Sequence, residues 1–370
     1  MRKFGKESTA PSEGVSRESG AGWLQNHGAL AVCVIALLAF VLRTVFAYGV
    51  SADGDFALSG GSEAQYHLHV VESILNGSFI FGSDAAANYP IGGLNNNPPL
   101  YDMIAAGIGS FAGASFALAV LAPIFGALTV FPVYLVGKEL KGVTTGVVAA
   151  LIYALMALPI SASVFSNGTE FAFTAFLFAF FILMMIKLVR KVNENELAVK
   201  EAAIAGLFLG LIALSWNGFR MILVLLIIVM VIQIVLDRFN SKDFKVPLYS
   251  YSIVMVIGVV IGAVYYIPAG LWDAVFSGPV LITLVAVVFG FLFRAVSSKP
   301  WIFTIPAFIV AFAAVAVILF FIDSDLCTAL LVGNDAYINP LMDELARTSV
   351  SISTMSSYYG WLLMWMPFAL

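Results

Sequence analysis

Residues 60–93 read GGSEAQYHLHVVESILNGSFIFGSDAAANYPIGG and hold Glu63, His67, His69, Glu72 and Asp84. Two of the chain's three histidines therefore sit in one short stretch, together with carboxylates. The runs on either side are oily enough for lipid. Upstream, residues 28–50 carry Arg43 as their only charge, and downstream, residues 118–136 carry none. A polar stretch framed in this way is a loop outside the hydrocarbon, and the chain around it is threaded repeatedly through a bilayer.

Composition agrees. Hydrophobic residues make up 61% of the 370 and charged ones 11%, where a soluble domain is about half apolar and about a quarter charged. The chain is an all-α membrane protein, with the lipid bilayer as its first partner and no call for nucleic acid. Cys33 and Cys327 lie far apart and suggest neither a disulfide framework nor a metal site. Residues 1–25 mix Arg2, Lys3, Lys6 and Arg17 with Glu7, Glu13 and Glu18 among serines and glycines. They read as a disordered cytoplasmic tail.

About nine complete spans follow, near 28–50, 118–136, 143–164, 171–189, 202–216, 221–236, 247–268, 275–293 and 301–322. A truncated tenth opens near Tyr359. Residues 103–116 are apolar but short and Gly-rich, as in a re-entrant or interfacial helix. With the N-terminus in the cytoplasm, the alternation places 15 of the 18 lysines and arginines on the inner side, as the positive-inside rule requires. Only Arg43, Arg220 and Arg347 remain for the outer side. The same alternation puts outer loops at 51–102, 161–170 and 323–358, and each brings a carboxylate to one face.

Glu63 comes from the first of these loops, Glu170 from the second at the mouth of FAFTAFLFAFFILMM, and Asp343 and Glu344 from the third. An acid at the mouth of a span costs desolvation and invites a functional reading, against the ordinary one of a solvated loop charge. Carboxylates with an imidazole suit a divalent cation, Mn²⁺ or Mg²⁺. Arg220 in WNGFR and Arg347 suit phosphate, or else anchor the chain at the interface. His67 and His69 are two apart and diverge on a helix, so only one of them faces such a site. Asn76 and Asn167 each open an N-x-[ST] acceptor pattern on the outer side.

GSEAQYHLHVVESIL and NYPIGGLNNNPPLYDM resemble the first outer loop of the archaeal oligosaccharyltransferase catalytic subunit family (dolichyl-phosphooligosaccharide–protein glycotransferase). That family shows G-[SN]-D-x-x-Y-H-x-R-x-V, then N-Y-P-x-G and P-P-L-Y-D. LSWNGFRM is similar to its L-x-W-x-G-[YF], and LMDELARTSVSI stands where it carries T-I-x-E or S-V-S-E.

The resemblance implies a polytopic GT-C-type glycosyltransferase helix bundle over residues 26–370, sitting in the cell membrane with its active face extracytoplasmic. It implies transfer of an oligosaccharide from a dolichol-linked (di)phosphate donor to asparagine in N-x-S/T sequons of an acceptor polypeptide, dependent on Mn²⁺ or Mg²⁺. Glu63 then stands at the family's first metal-binding acid, one methylene longer than its aspartate, and Glu344 at the glutamate that orients the acceptor amide. Asn167 and Thr169 fall at the family's second ligand pair, where neither is a strong ligand, and Glu170 substitutes if the loop shifts register. His67, Arg220 and Arg347 are expected to bind substrate.

The family's W-W-D-x-G pocket and soluble domain do not occur in these residues, which are expected to be an incomplete sequence. Three other readings stand beside this one: a GT-C transferase using a dolichol-monophosphate sugar, a degenerate paralogue, and a transporter. A transporter would place its ionisable residues at mid-membrane depth, whereas these acids gather in the loops.

Overall fold

The computed structural model describes residues 20–45, 57–86, 90–94, 97–240 and 242–270, with isolated positions between 306 and 321. The expected spans at 275–293 and 359–370, nearly all of 301–322, and the 323–358 loop with Glu344 and Arg347 lie outside these residues.

Eleven helices order the described chain: α1 (Gly20–Val45), α2 (Gly61–Leu75), α3 (Leu100–Ala112), α4 (Ala114–Leu128), α5 (Val130–Lys141), α6 (Val143–Leu155), α7 (Ala157–Ser161), α8 (Phe171–Asn193), α9 (Val199–Ala213), α10 (Phe219–Phe239) and α11 (Lys245–Tyr266). Between α2 and α3 lies one small antiparallel hairpin, β1 (Ser83–Asp84) with β2 (Gly93–Leu94). Helix α1 begins at Gly20, so residues 20–25, assigned to the tail, are helical, and it kinks at His27.

Among the described residues five helices are long and apolar enough to cross a membrane: Gln25–Val45, Ala114–Lys141, Phe171–Asn193, Phe219–Asp237 and Lys245–Tyr266. The count of nine or ten is not confirmed by the described residues, and one expected span is interrupted for an identifiable reason. The 143–164 run breaks at Met156, whose extended backbone (φ −65°, ψ 135°) ends α6 and lets α7 start afresh around Pro159. Proline has no N–H to continue α6 and crowds the carbonyl four residues back, so the chain turns there. The 202–216 run gives the 15-residue α9. Residues 103–116 are likewise split, between α3 and α4, at Gly113 (φ +88°).

Proline also marks α4. Pro123 cannot donate to the carbonyl of Ala119, four residues back, and that open carbonyl accepts the backbone N–H of Ser166 instead (2.9 Å). A helix defect thereby becomes an anchor for the loop that follows α7. Elsewhere the bundle closes on small residues. A methyl group at Gly206, Gly210 or Gly258 would run into Ile257, Ile261 or Leu209, so α9 and α11 pack almost backbone to backbone.

The two ends of the bundle differ in character. At one end Arg190 pairs with Glu139, Lys191 with Glu201 (2.8 Å), and Lys242 with the carbonyl of Asn193. At the other end the segment before α3 docks on the turn between α9 and α10. There Leu100 N–H donates to Leu214 O (3.0 Å), Asn217 to Asn97 (2.9 Å), and Tyr265 OH to Asn97 O (3.0 Å).

Candidate metal centre at three helix N-termini

Three carboxylates converge at this second end, each from the start of a helix. Glu63 lies in the first turn of α2, Asp102 in the first turn of α3, and Glu170 at the N-cap of α8. Unpaired N–H groups and the helix dipole make each of these positions favourable for an anion. Glu170 makes no capping bond with its side chain; the carboxylate reaches across to α2 instead.

His67 sits where the three meet. It lies one turn after Glu63 on the same face of α2, and the imidazole is buried. Its Nδ1 is 2.7 Å from Asp102 Oδ1 and its Nε2 is 2.7 Å from Glu170 Oε2. The rings of Tyr66 and Tyr101 meet it edge-on, each with centroids 5.2 Å away. Asp102 is 0% exposed, and its Oδ2 finds no partner among the described residues. Ligand atoms of Glu63, His67 and Glu170 lie within 4.8 Å of one another.

Backbone geometry brings the loops together. The loop after α7 lies over the start of α2, and a Cβ at Gly60 would stand 2.2 Å from Asn167 O. Opposite it, Gly168 takes a left-handed φ of +72° beside Ala64, a conformation open to glycine at little cost. Ser59 N–H donates to Ser166 O (2.7 Å), which fixes the crossing.

With each ring nitrogen facing a carboxylate, His67 carries two protons when no metal is bound. Burial pulls its pKa down, but the hydrogen bonds and charges of Asp102 and Glu170 outweigh that and raise it from 6.5 to about 10. Burial pushes the Asp102 carboxyl up, with His67 pulling it back. A cation held in this way stabilises the fold fully below pH 6.5, and the contribution is lost as pH rises through about 10. The metal-free protein should therefore melt several degrees lower at pH 10 than at pH 6.5. His67→Gln should flatten that slope, as a thermal-shift series in detergent would show.

The structure sorts the expected site residues into three groups. Glu63, His67 and Glu170 come together. Asn167 and Thr169 instead bond each other: the Asn167 Oδ1 accepts the Thr169 N–H (3.2 Å) and the Thr169 hydroxyl, which closes a turn within the loop. Arg220 lies in the first turn of α10, with Nε buried and unpaired among the described residues. His69 points away from the cluster, to Asp84 (2.9 Å).

Asp102 escaped the sequence reading, although it ends the PPLYD motif. The signal that singled out Glu170, an acid opening an apolar helix, applies equally to Asp102. It was masked because α3 is too short to register as a span.

Divalent-metal chemistry fits this donor set. Two carboxylate oxygens with one imidazole nitrogen suit a cation such as Mn²⁺ better than the all-oxygen set of Mg²⁺.

A family model described as oligosaccharyl transferase STT3, N-terminal, matches residues 62–334. A curated relative, dolichyl-phosphooligosaccharide-protein glycotransferase 2 of Archaeoglobus fulgidus, is 30% identical over 190 residues, covering 50% of this chain and 30% of its own length. The fold is that of the A. fulgidus oligosaccharyltransferase. Its structure with an inhibitory peptide and a dolichol-phosphate has a TM-score of 0.63 at 19% identity, covering 84% of this chain and 39% of that one. Its complex with Zn and sulfate has a TM-score of 0.59 at 18% identity, covering 80% and 40%. Its form tethered to an acceptor peptide containing the NVT sequon has a TM-score of 0.61 at 20% identity, covering 81% and 39%. The chain thus spans well under half the length of the relatives it matches.

Proposed function

The chain belongs to the oligosaccharyl transferase STT3 family, and from that premise we propose that it forms the membrane-embedded catalytic part of an N-oligosaccharyltransferase. Such an enzyme transfers an oligosaccharide from a dolichol-linked (di)phosphate to asparagine in N-x-S/T. The observation that carries this reading is the meeting of Glu63, Asp102 and Glu170, each at a helix N-terminus, around the buried His67. The site faces the extracytoplasmic side of the cell membrane, opposite the end rich in lysine and arginine. The structures of the A. fulgidus enzyme with a dolichol-phosphate, an NVT peptide and Zn supply the substrate and metal classes by analogy.

In this reading Glu63, His67 through Nε2, and Glu170 hold the metal, while Asp102 holds the Nδ1–H of His67 and fixes its tautomer. A bound Mn²⁺ or Mg²⁺ supplies charge neutralisation for the phosphate leaving group. Asn167 and Thr169 stay in their own turn, and Glu170 replaces them as the second loop's contribution. That replacement favours an active enzyme over a degenerate paralogue. Arg220 and Arg347 grip phosphate oxygens through forked hydrogen bonds. Glu344 accepts a hydrogen bond from the acceptor's amide N–H and turns that nitrogen towards the sugar.

The test uses the full-length protein that carries this chain, purified in detergent with a dolichol-linked oligosaccharide. Transfer to an N-x-T peptide is expected, none to its Q-x-T counterpart, with loss on chelation and recovery on adding Mn²⁺. Transfer from a dolichol-monophosphate sugar that ignores the sequon would replace this reading with the other GT-C class.

A further inference from the structure

Arg43 belongs to none of the machinery described so far, yet it is a fully buried charge inside a candidate span. An arginine within a span is expensive to bury, and near a helix end it ordinarily snorkels to the interface. Arg43 does neither cheaply nor by escape. Its Nε donates to Ser163 Oγ (2.7 Å), and its Nη1 donates to the carbonyls of Ala39 (3.0 Å) and Ala154 (3.4 Å). The guanidinium lies 5.7 Å from the centre of the Tyr153 ring.

These partners share one property: apart from Ala39, all lie on the segment that leads to Glu170. Ala154 lies in the last turn of α6, where the break at Met156 leaves carbonyls without helical donors. Ser163 stands just past α7 and donates its own hydroxyl proton to Pro159 O. The backbone of Arg43 joins in, since its carbonyl accepts the N–H of Phe165 (2.9 Å). One residue on α1 thus holds the loop from α6 to residue 165 by side chain and main chain together. Helix α4 leaves room for this at Gly126, where a Cβ would lie 2.5 Å from Ser163 Oγ and 2.7 Å from Arg43 Nε.

We propose that Arg43 is a positioning residue: it clamps the broken end of the α6–α7 pair so that the following loop presents the Glu170 carboxylate to His67. Ser166, next along, takes a left-handed φ of +66°, a conformation that costs a non-glycine residue energy. The clamp at 163–165 and the open Ala119 carbonyl hold it there. Without the clamp the loop relaxes, and Glu170 leaves the 2.7 Å contact with His67.

The functional readout rests on the metal reading above, so the test has two arms. In the full-length protein, Ser163→Ala and Arg43→Lys are compared with Arg43→Met, the last being the variant that risks misfolding. The first arm is hydrogen–deuterium exchange. Amides of residues 165–169 should exchange at least tenfold faster in Ser163→Ala and Arg43→Lys, with the α8 amides and the melting temperature unchanged. The second arm is Mn²⁺ binding followed by electron paramagnetic resonance, where the dissociation constant should rise about tenfold in the same variants. Unchanged exchange in the loop, or faster exchange spread evenly over the bundle, would overturn the proposal. If the wild-type protein bound no Mn²⁺, the metal reading would fall while the exchange arm still decided the role of Arg43.

Discussion

Replacing Glu170 by glutamine should lower glycosyl transfer by more than about 100-fold, because Glu170 would bind the metal directly and losing even the partner that orients a ligand costs up to about 100-fold. The carboxylate is buried at the N-terminus of α8 and touches His67 directly, so the change removes an anionic ligand and leaves its place neutral. Glutamine keeps the shape and can still accept from the imidazole. Folding should survive, and single-turnover transfer should fall together with Mn²⁺ affinity. Glu63→Gln should show the same double loss with less effect on stability, because Glu63 is only half-buried. Asn167→Asp should change affinity by no more than about twofold, since its side-chain oxygen is committed to Thr169. Near-normal transfer by Glu170→Gln, or a large gain from Asn167→Asp, would return the site to positions 167 and 169.

That contrast shows how far the sequence could be read. Long apolar runs with no proline beyond the first turn translate directly into the helices Phe171–Asn193 and Lys245–Tyr266, because lipid leaves the backbone no alternative to helix. The first-loop motif likewise pointed to Glu63 and His67, and the acid at the mouth of a span pointed to Glu170.

What stayed hidden was the pairing between loops. His67 has Asp102 as a partner 35 residues away and Glu170 as one 103 residues away. No local periodicity records either distance. The resemblance puts the second ligand pair two residues apart at 167 and 169, but with left-handed backbone at Ser166 and Gly168 it is the next carboxylate, Glu170, that reaches His67. Hydropathy also overlooked the break at Met156, since the residues on both sides remain apolar. Only proline chemistry distinguishes one long span from a helix and a separate turn.

Asp102 supplies the second large effect. A metal-ligating histidine keeps its orientation and basicity through whatever holds its other ring nitrogen, and here that is Asp102 Oδ1 at 2.7 Å, entirely out of water. Asp102→Asn preserves an oxygen acceptor in the same place but removes its charge. The imidazole should therefore keep its tautomer, with Nε2 still facing Glu63 and Glu170, while becoming a poorer electron donor. Mn²⁺ affinity should fall by about 10- to 100-fold, with transfer recoverable at high Mn²⁺ concentration. Asp102→Leu should do worse, because it leaves the Nδ1–H of a buried ring unpaired at a cost of about 1–3 kcal/mol. Excess metal should not rescue it, because the ring is then free to turn. The discriminating measurement is the tautomer in the protein loaded with diamagnetic Zn²⁺: ¹⁵N-histidine spectra of the Asn variant should keep the proton on Nδ1, and those of the Leu variant should lose that preference. If both variants bound Mn²⁺ as the wild type does, His67 would be a structural bridge between α2, α3 and α8, and the ligands would have to be Glu63 and Glu170 alone.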